Sequence, residues 1–405
     1  MNSYIREYLD YKTLLSGLAL VTIGLVSIYS ATLDVNSAAN FYRQGLWSMF
    51  GLIALIVAAF FPIKTLQRLS VPMYVASLAL LGVILLLGHT VNSSKSWFGV
   101  GGMGMQPSEI AKVTTVLALA AYLSKPTVSI SNVKHLIIAL GIFVLPMALI
   151  LRQPDLGTTI VFFIALLPVL YWAGASYFVL VTILVPILVA TGAVLGTTAF
   201  LVAVAIGAVL LYLTSENKFA AAVAFGITLA IGLSVQIVFD HLEPYQQKRI
   251  ATFLNPNADP TGAGYNVLQS KTAIGSGGFW GKGYLHGTQT QLKYIPEQWT
   301  DFIFCVTGEE FGFVGGSIVL TLYAFLLLHG LHIAGLSKNK FGSLAAVGLI
   351  GILASHLVIN MGMAMGLMPV IGIPLPFLSY GGSALITNMT MLGLLMNFYA
   401  HRKEY

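Results

Sequence analysis

Three carboxylates stand beside an apolar run in the stretch YIPEQWTDFIFCVTGEE. Asp301 comes first, where a polar loop meets an apolar helix, and Glu309 and Glu310 follow on the helix. The helix macrodipole favours a carboxylate at a helix N-terminus, so Asp301 could simply be a cap or an interfacial residue. In a partly dry cavity, it could instead act as a general base. Adjacent helical residues point about 100° apart, and we expect Glu309 and Glu310 to be structural supports.

Two further charged clusters lie next to apolar runs. In QPSEIAK, Glu109 and Lys112 are three residues apart and share one helix face, either as a structural ion pair or as the lining of a cavity. In RQPDLGT, Arg152 and Asp155 lie where one helix ends and the next begins. A turn with a capping Asp explains the second cluster as well as a functional site does.

The stretch MPVIGIPLPFLSYGGSA, residues 368–384, combines three prolines and three glycines with bulky apolar side chains. This composition is typical of a re-entrant or broken segment at membrane depth. Such a segment is tolerated only where it lies against protein or lines a cavity. An ordinary loop between two helices is the alternative.

The elements that must position these residues are membrane helices. The chain is 57% hydrophobic and 8% charged, whereas soluble domains are about 25% charged. Its long apolar runs predict an all-α polytopic membrane protein with about twelve transmembrane helices, forming one transmembrane domain over residues 1–405. The predicted helices are 12–32, 43–61, 70–88, 107–124, 134–151, 156–172, 177–194, 198–214, 219–239, 310–333, 342–366 and 380–399.

The distribution of Lys and Arg in the short loops predicts the orientation of the helices. With a cytoplasmic N-terminus, most of these residues lie inside, and the even helix count makes both termini cytoplasmic. The polar, glycine-rich residues 240–300 then form one long extracytoplasmic loop. Because the positive-inside effect accounts for most of the net charge of +6, we expect no nucleic-acid partner. The single Cys305 excludes an internal disulfide framework and a Cys-rich metal site.

This orientation places the charged clusters on one face of the membrane. Independent structural ion pairs would be expected on both faces. The asymmetry therefore predicts one polar site that opens outward, and its members come from four parts of the chain: Arg43, Glu109 with Lys112, Arg152 with Asp155, and Asp301.

Five motifs in order resemble the SEDS family of shape, elongation, division and sporulation proteins. They are QPSEIAK, QPDLGT, NPNADPTGAGYNVLQSKTAIGSGGFWGKGYLHGTQ, PEQWTDFIFCVTGEEFGFVG and PVIGIPLPFLSYGGSA. GKGYLHGTQ and GIPLPFLSYGGS look more like the rod-shape members than the division members. The family usually has ten membrane helices, two fewer than predicted here, so the apolar stretch near residues 177–239 is expected to contain an extra pair. An even number of added helices leaves the motifs on the same side.

The resemblance implies a peptidoglycan glycosyltransferase. Such a protein polymerises lipid II at the outer face of the bacterial cytoplasmic membrane during cell elongation. It works with a class B penicillin-binding protein and the elongation machinery. The essential Asp of the family falls on Asp301, and its other sensitive charged positions fall on Glu109, Lys112 and Asp155, with Arg43 as a further candidate.

The chemistry implied by the resemblance is displacement of a pyrophosphate by the 4-hydroxyl of an acceptor sugar. Asp301 would take the hydroxyl proton, and the departing pyrophosphate would need positive charge. The candidates for that charge are Arg43, Lys112, Arg152, Lys271 or a divalent cation (Mg²⁺ or Mn²⁺) held by Asp301, Asp155 and Glu109. The competing functions are a lipid II flippase and a non-catalytic activator of a class B penicillin-binding protein.

Overall fold

The computed structural model describes residues 9–33, 38–87, 89–91, 94–100, 103–241, 247, 252–253 and 264–404. Helices form at all of the predicted places. They are α1 (Tyr11–Ala31), α2 (Ala38–Phe60), α3 (Ile63–Leu87), α4 (Pro107–Leu123), α5 (Val133–Leu151), α6 (Leu156–Trp172), α7 (Tyr177–Leu195), α8 (Thr197–Thr214), α9 (Lys218–Asp240), α10 (Tyr265–Ser276), α11 (Thr288–Gln291), α12 (Ile303–Leu336), α13 (Lys340–Ala364) and α14 (Gly382–Ala400).

Length and composition make this a multi-pass membrane protein. Within the described ranges, nine helices are long and apolar enough to cross a membrane. The helices α4 and α6 are shorter, at 17 residues each. The predicted all-α polytopic class is confirmed, with one addition. A small antiparallel sheet of β1 (His89–Val91), β2 (Ser94–Val100) and β3 (Met103–Met105) follows α3. β1 and β3 are too short to show an alternating pattern, and the sequence of β2, SKSWFGV, does not alternate, which explains why they were not predicted.

The chain divides into two compact units. The second unit, Leu170–Gly264, contains α7, α8 and α9, the stretch in which the sequence predicts an extra helix pair; that the pair is extra stays a prediction. Its helices approach closely where small residues meet: a Cβ added to Gly207 would lie 2.5 Å from Cγ1 of Val185. Small residues allow such close packing of membrane helices. The predicted single transmembrane domain stays a prediction.

The first unit, Met1–Val169 with Tyr265–Tyr405, carries every candidate site residue. Among the described helices that could span a membrane, α13 is the most buried: 78% of its 18-residue apolar stretch lies inside the protein. It packs against α4, α12 and α14. The buried polar side chains of α13, such as His356 and Asn360, must therefore find partners within the protein.

The helix α12 begins at Ile303, in agreement with the short helical lead-in that the sequence predicts from about Asp301 before the helix 310–333, and it is broken at Gly312, whose φ is 63°. The break lets the chain that follows α10 bond to the helix: the amide of Phe313 donates to the carbonyl of Gly278 at 2.9 Å. A Cβ at Gly312 would lie 2.3 Å from the amide nitrogen of Gly281. Only glycine fits this left-handed, close-packed position.

The predicted long loop, 240–300, contains the helices α10 and α11. Residues 242–246, 248–251 and 254–263 of this loop lie outside the described residues. The extracytoplasmic position of the loop and the cytoplasmic position of both termini remain predictions.

Candidate functional site

The centre of the candidate site is the non-helical chain between α13 and α14, residues 371–381, which we call the proline-rich segment. Its residues Leu375 and Leu378 are 1% and 0% exposed. A Cβ at Gly24 would lie 2.6 Å from the carbonyl oxygen of Phe377. Gly24 is seven residues, or about 10 Å, from the end of α1. The segment thus enters the bundle and lies against protein, which agrees with the re-entrant or broken segment considered from the sequence.

Asp301 lies beside this segment, two residues before α12. The amide of Tyr380 donates to the carbonyl of Trp299 at 2.8 Å, and the hydroxyl of Ser379 donates to the carbonyl of Thr300 at 2.6 Å. A Cβ added to Gly372 would lie 3.2 Å from Oδ2 of Asp301. The main chain just before Asp301 is therefore fixed by hydrogen bonds from the proline-rich segment. The half-buried carboxylate itself lies next to Gly372, which has no side chain to displace it.

Asn360 of α13 joins Asp301 to the proline-rich segment. Its side-chain nitrogen donates to the carbonyl of Asp301 at 2.8 Å and to the carbonyl of Ile373 at 2.7 Å. Asn360 is 0% exposed. Sequence reasoning did not select Asn360. The signal that could have found it is the pair of polar side chains, His356 and Asn360, four residues apart in a mostly apolar membrane helix.

The predicted pair of Glu109 and Lys112 forms an ion pair, with Nζ 2.8 Å from Oε1. The two residues are 3% and 1% exposed. Nζ also lies 2.8 Å from Nε2 of His356, and Nδ1 of His356 lies 3.2 Å from the carbonyl of Pro374. A carbonyl can only accept, so we assign the proton to Nδ1, and Nε2 then accepts from the Lys112 ammonium.

This arrangement changes the interpretation of Lys112. The expected cavity-lining charge is instead buried between Glu109 and His356, and it reaches the proline-rich segment through the imidazole ring. His356 and Asn360 are one helical turn apart and share a face of α13. One face of α13 therefore holds two consecutive carbonyls of the proline-rich segment, those of Ile373 and Pro374.

Asp155 caps the start of α6. Its Oδ1 accepts from the amide of Thr158 at 3.0 Å, and its Oδ2 accepts from the Thr158 hydroxyl at 2.8 Å. The side-chain amide of Gln106 donates from Nε2 to the same Oδ2 at 3.0 Å. The next turn touches the proline-rich segment, because a Cβ at Gly157 would lie 3.0 Å from Cγ1 of Ile373. The capping role considered from the sequence is present, and it lies at the edge of the site.

Arg43 is half-buried on α2, but its neighbour Gln44 makes the contacts with the proline-rich segment. The side-chain nitrogen of Gln44 donates to the carbonyl of Ser379 at 3.3 Å. Its oxygen accepts from the amide of Gly381 at 3.1 Å. Sequence reasoning favoured the charged residue of this pair, whereas the buried face of α2 carries the amide.

Two other predicted basic residues are solvent-exposed. Arg152 follows the last turn of α5 and is not brought to the proline-rich segment by any described contact. Lys271 lies on α10 beside the end of α13. A Cβ at Gly366 would be 2.8 Å from its Nζ, and the preceding Ser270 donates to the carbonyl of Ala364 at 2.7 Å. Lys271 is thus near the turn that follows Asn360.

Glu309 and Glu310 make the contacts of structural supports. The carboxylate of Glu309 accepts from the amides of Gln289 and Thr290, each at 2.9 Å. It also pairs with Lys282 at 2.7 Å. Glu310 accepts from the hydroxyl of Ser30 at 2.5 Å. The first carboxylate holds the loop around α11, and the second joins α12 to α1.

The three carboxylates proposed as metal ligands do not form a metal cage. Over the described part of the chain, no group of three or more His, Cys, Asp or Glu side chains is arranged to hold an ion. Glu109 is neutralised by Lys112, and Asp155 is engaged by Gln106 and Thr158. Asp301, Asp155 and Glu109 therefore do not fit as a set of ligands that holds a divalent cation without substrate.

The fold and the site define a polytopic helical membrane protein built around a buried polar network. The chain belongs to the FtsW/RodA/SpoVE family of cell cycle proteins, whose sequence profile matches residues 11–201 and 184–404. This match confirms the resemblance to SEDS proteins seen in the motifs.

Named relatives span almost the whole chain. It is 38% identical to the peptidoglycan glycosyltransferase RodA of Treponema pallidum, over 97% of this chain and 98% of the relative. It is 35% identical to the peptidoglycan glycosyltransferase MrdB of Escherichia coli K12, over 98% and 95%.

Solved structures share the fold. A chain of a peptidoglycan synthase complex, described for its coordination of polymerization and crosslinking, superposes with a TM-score of 0.76 at 28% identity. That match covers 98% of this chain and 99% of the other. The rod shape determining protein RodA of Thermus thermophilus gives a TM-score of 0.66 at 26% identity, covering 98% of each chain.

Proposed function

We propose that this chain is a peptidoglycan glycosyltransferase that polymerises lipid II, with Asp301 as the general base. The observation that carries the proposal is the position of Asp301 beside the proline-rich segment, with its carbonyl held by Asn360. The named relatives are peptidoglycan glycosyltransferases. The site would face the outer side of the bacterial cytoplasmic membrane, where lipid II is consumed during cell elongation.

The proposed reaction is a single displacement. The 4-hydroxyl of the acceptor sugar attacks the anomeric carbon of the donor, the new C–O bond forms, and the bond from that carbon to the pyrophosphate oxygen breaks. Asp301 takes the hydroxyl proton as the bond forms. The pyrophosphate leaves as an anion and needs no proton, so a second carboxylic acid is not required. Attack from the opposite face inverts the anomeric centre and gives a β-linked chain.

Lys112 acts in this scheme by positioning the site. Its ammonium is buried and bonded to Glu109 and His356, so it holds the proline-rich segment through Pro374. The charges available to the pyrophosphate are the more exposed ones, Lys271, Arg152 and Arg43. Lys271 is the strongest candidate of these because it lies at the end of α13, beyond Asn360.

A divalent cation enters the proposal only together with substrate. Mg²⁺ is commonly bound by one or two carboxylates while substrate phosphates supply the remaining oxygens. Asp301 is the carboxylate placed for that role, and the cation would neutralise the departing pyrophosphate. Chelation should then abolish polymerisation without altering the thermal stability of the substrate-free protein.

The proposed partners are a class B penicillin-binding protein, which would crosslink the product, and the elongation machinery. The solved complex supports this assignment, because its similar chain works within a peptidoglycan synthase. The two competing functions, flippase and non-catalytic activator, are tested by the same experiment.

That experiment compares purified wild-type chain with Asp301→Asn, using dansylated lipid II with and without a class B partner. We expect Asp301→Asn to reduce polymer formation at least about 100-fold. Glu297→Gln is the matched control, since Glu297 is an exposed carboxylate four residues earlier in the same loop. Undiminished polymer from Asp301→Asn would overturn the base assignment. Translocation of lipid II across liposomes without any polymer would favour a flippase.

A further inference from the structure

A pocket of about 660 Å³, lined by both polar and apolar side chains, lies where α1 begins and α12 and α14 come to their ends. Its polar lining comes from three elements: Asp10 and Lys12 at the start of α1, His329 and His332 on α12, and Tyr399 on α14. The proposed glycosyltransferase reaction uses none of these residues.

This pocket is remote from the candidate active site. α1 has 21 residues, and at 1.5 Å per residue its two ends are about 30 Å apart. Asp10 lies at the pocket end, whereas Ser30 at the other end bonds to Glu310. α14 likewise begins beside Gly381, which is bound by Gln44, and ends beyond Tyr399. The pocket is therefore at the opposite end of the bundle.

Asp10, the only acidic residue in the described lining, is already engaged. It is 2% exposed, it accepts from the amide and the hydroxyl of Thr13, and its Oδ1 lies 2.9 Å from Nε2 of His329. Burial raises the pKa of this carboxyl, but the hydrogen bonds from His329 and Thr13 outweigh burial and lower the pKa overall. The carboxylate thus caps the start of α1 through Thr13 and also bonds to His329.

The remaining charge at the pocket is basic and accessible. Lys12 and His332 line it and are exposed. Arg402 lies beside it, with its guanidinium carbon 3.9 Å from the centroid of the Tyr399 ring and its Nη1 donating to the Tyr399 carbonyl at 2.7 Å. Lysine and histidine donors from two parts of the chain therefore line one concave surface, and an arginine lies beside its Tyr399 wall.

Such a surface fits an anion with several acceptor oxygens. Phosphates make strong, charge-assisted hydrogen bonds with Lys, Arg and protonated His. The volume is within the range of about 300–1,000 Å³ that is usual for small-ligand sites. A metal ion fits less well, because the described residues contain no group of three suitable donors.

We propose that this pocket binds a phosphate group, carried by an anionic lipid headgroup or by a free phosphate compound. Basic pockets between the ends of membrane helices are suited to lipid headgroups. The pocket joins α1, α12 and α14, so an occupant would link the ends of three helices of the first unit. The proposal does not depend on the glycosyltransferase assignment.

The test measures binding to the purified full-length chain in detergent. One arm titrates inorganic phosphate, and the other titrates phosphatidylglycerol in mixed micelles, with phosphatidylcholine as the neutral reference. The variants are Lys12→Gln with His332→Gln, and separately Lys12→Glu. Lys64→Gln is the matched control. Lys64 is an exposed lysine at the same end of the bundle, three residues after Phe61, whose carbonyl is bound by Asn397 of α14.

We expect the double variant to weaken binding about tenfold and Lys12→Glu to weaken it at least as much, while Lys64→Gln leaves it unchanged. Lys12 and His332 are exposed, so neither variant should impair folding. Binding in the inorganic phosphate arm identifies a free phosphate ligand, and binding only in the lipid arm identifies a headgroup. Equal losses in the pocket variants and in Lys64→Gln, or no binding in either arm, would overturn the proposal.

Discussion

The side-chain amide of Asn360 lies 2.8 Å from the carbonyl oxygen of Asp301, and this hydrogen bond fixes the main chain that carries the proposed base. The same nitrogen binds the carbonyl of Ile373, so one buried amide sets the distance between Asp301 and the proline-rich segment. Catalysis by a positioned base depends on that distance, which makes Asn360 a positioning residue.

Asn360→Ala should lower kcat for polymerisation by about 100-fold, because misplacing a reacting group by about 1 Å has an effect of that size. KM should change little. The control is Asn397→Ala, which removes an equally buried amide that bonds to the carbonyls of Ala58, Ala59 and Phe61. Asn397→Ala should lower the melting temperature and leave kcat per folded molecule unchanged. Equal effects of both variants on kcat would assign Asn360 a merely structural role.

Removing Lys112 alone should be more harmful than removing the whole ion pair. Lys112→Met leaves the buried carboxylate of Glu109 without its partner, which typically destabilises a protein by about 3–5 kcal/mol. Adding Glu109→Gln removes that charge and should restore part of the melting temperature in detergent. Polymerisation should stay low in the double variant, because the link through His356 to Pro374 is still missing. Strictly additive losses of stability would contradict this account of the pair.

Gly372→Ala should reduce polymerisation more than it reduces stability. Gly372 has φ of 70°, and the added methyl group would lie 3.2 Å from Oδ2 of Asp301. Gly174→Ala is the control, because Gly174 also has positive φ, 89°, but a Cβ there meets nothing within 4 Å. Both substitutions should destabilise by about 1 kcal/mol through backbone strain. Only Gly372→Ala should lower activity, and equal activities of the two variants would oppose contact with Asp301.

Asp10→Asn should destabilise the protein in a way that depends on pH. The pKa of Asp10 is lowered from 3.8 in the folded protein, so its contribution to stability is complete above pH 3.8 and is lost as the pH falls through the lowered value. Asparagine still caps the helix, so the loss at pH 7 should come from the charged contacts. Melting temperatures of the two proteins should differ at pH 7 and converge in acid. The exposed Glu216→Gln should show no such difference.

The helices could be predicted because each carries a long apolar run, and that pattern does not depend on tertiary contacts. The first turns of α12 were predicted only as a short helical lead-in to the apolar helix, because Gly308, Gly312 and two carboxylates weaken the apolar signal around residues 303–312. The strands near Trp97 were missed because β1 and β3 have only three residues each and the seven residues of β2, SKSWFGV, do not alternate between apolar and polar.

The site was predictable only where it carries charge or a motif. Asp301, Glu109 and Asp155 were selected, and all three lie at or beside elements that contact the proline-rich segment. His356, Asn360 and Gln44 were not selected, since none of them carries a fixed charge or lies in one of the motifs that resemble the family. Their importance follows from the carbonyls that they bind, and those carbonyls are brought near only by the fold. The sequence also could not show that Lys112 is enclosed between Glu109 and His356.

The proline-rich segment is held chiefly through its main chain. The carbonyls of Ile373, Pro374 and Pro376 accept from Asn360, His356 and Tyr323. Exchanging an apolar side chain within the segment leaves these hydrogen bonds in place, whereas losing one donor strands a buried carbonyl. Within the segment, exchanges between apolar side chains of similar volume should therefore be tolerated better than loss of a donor on the surrounding helices, whereas Gly372 and the buried Leu375 and Leu378 should tolerate changes of size poorly.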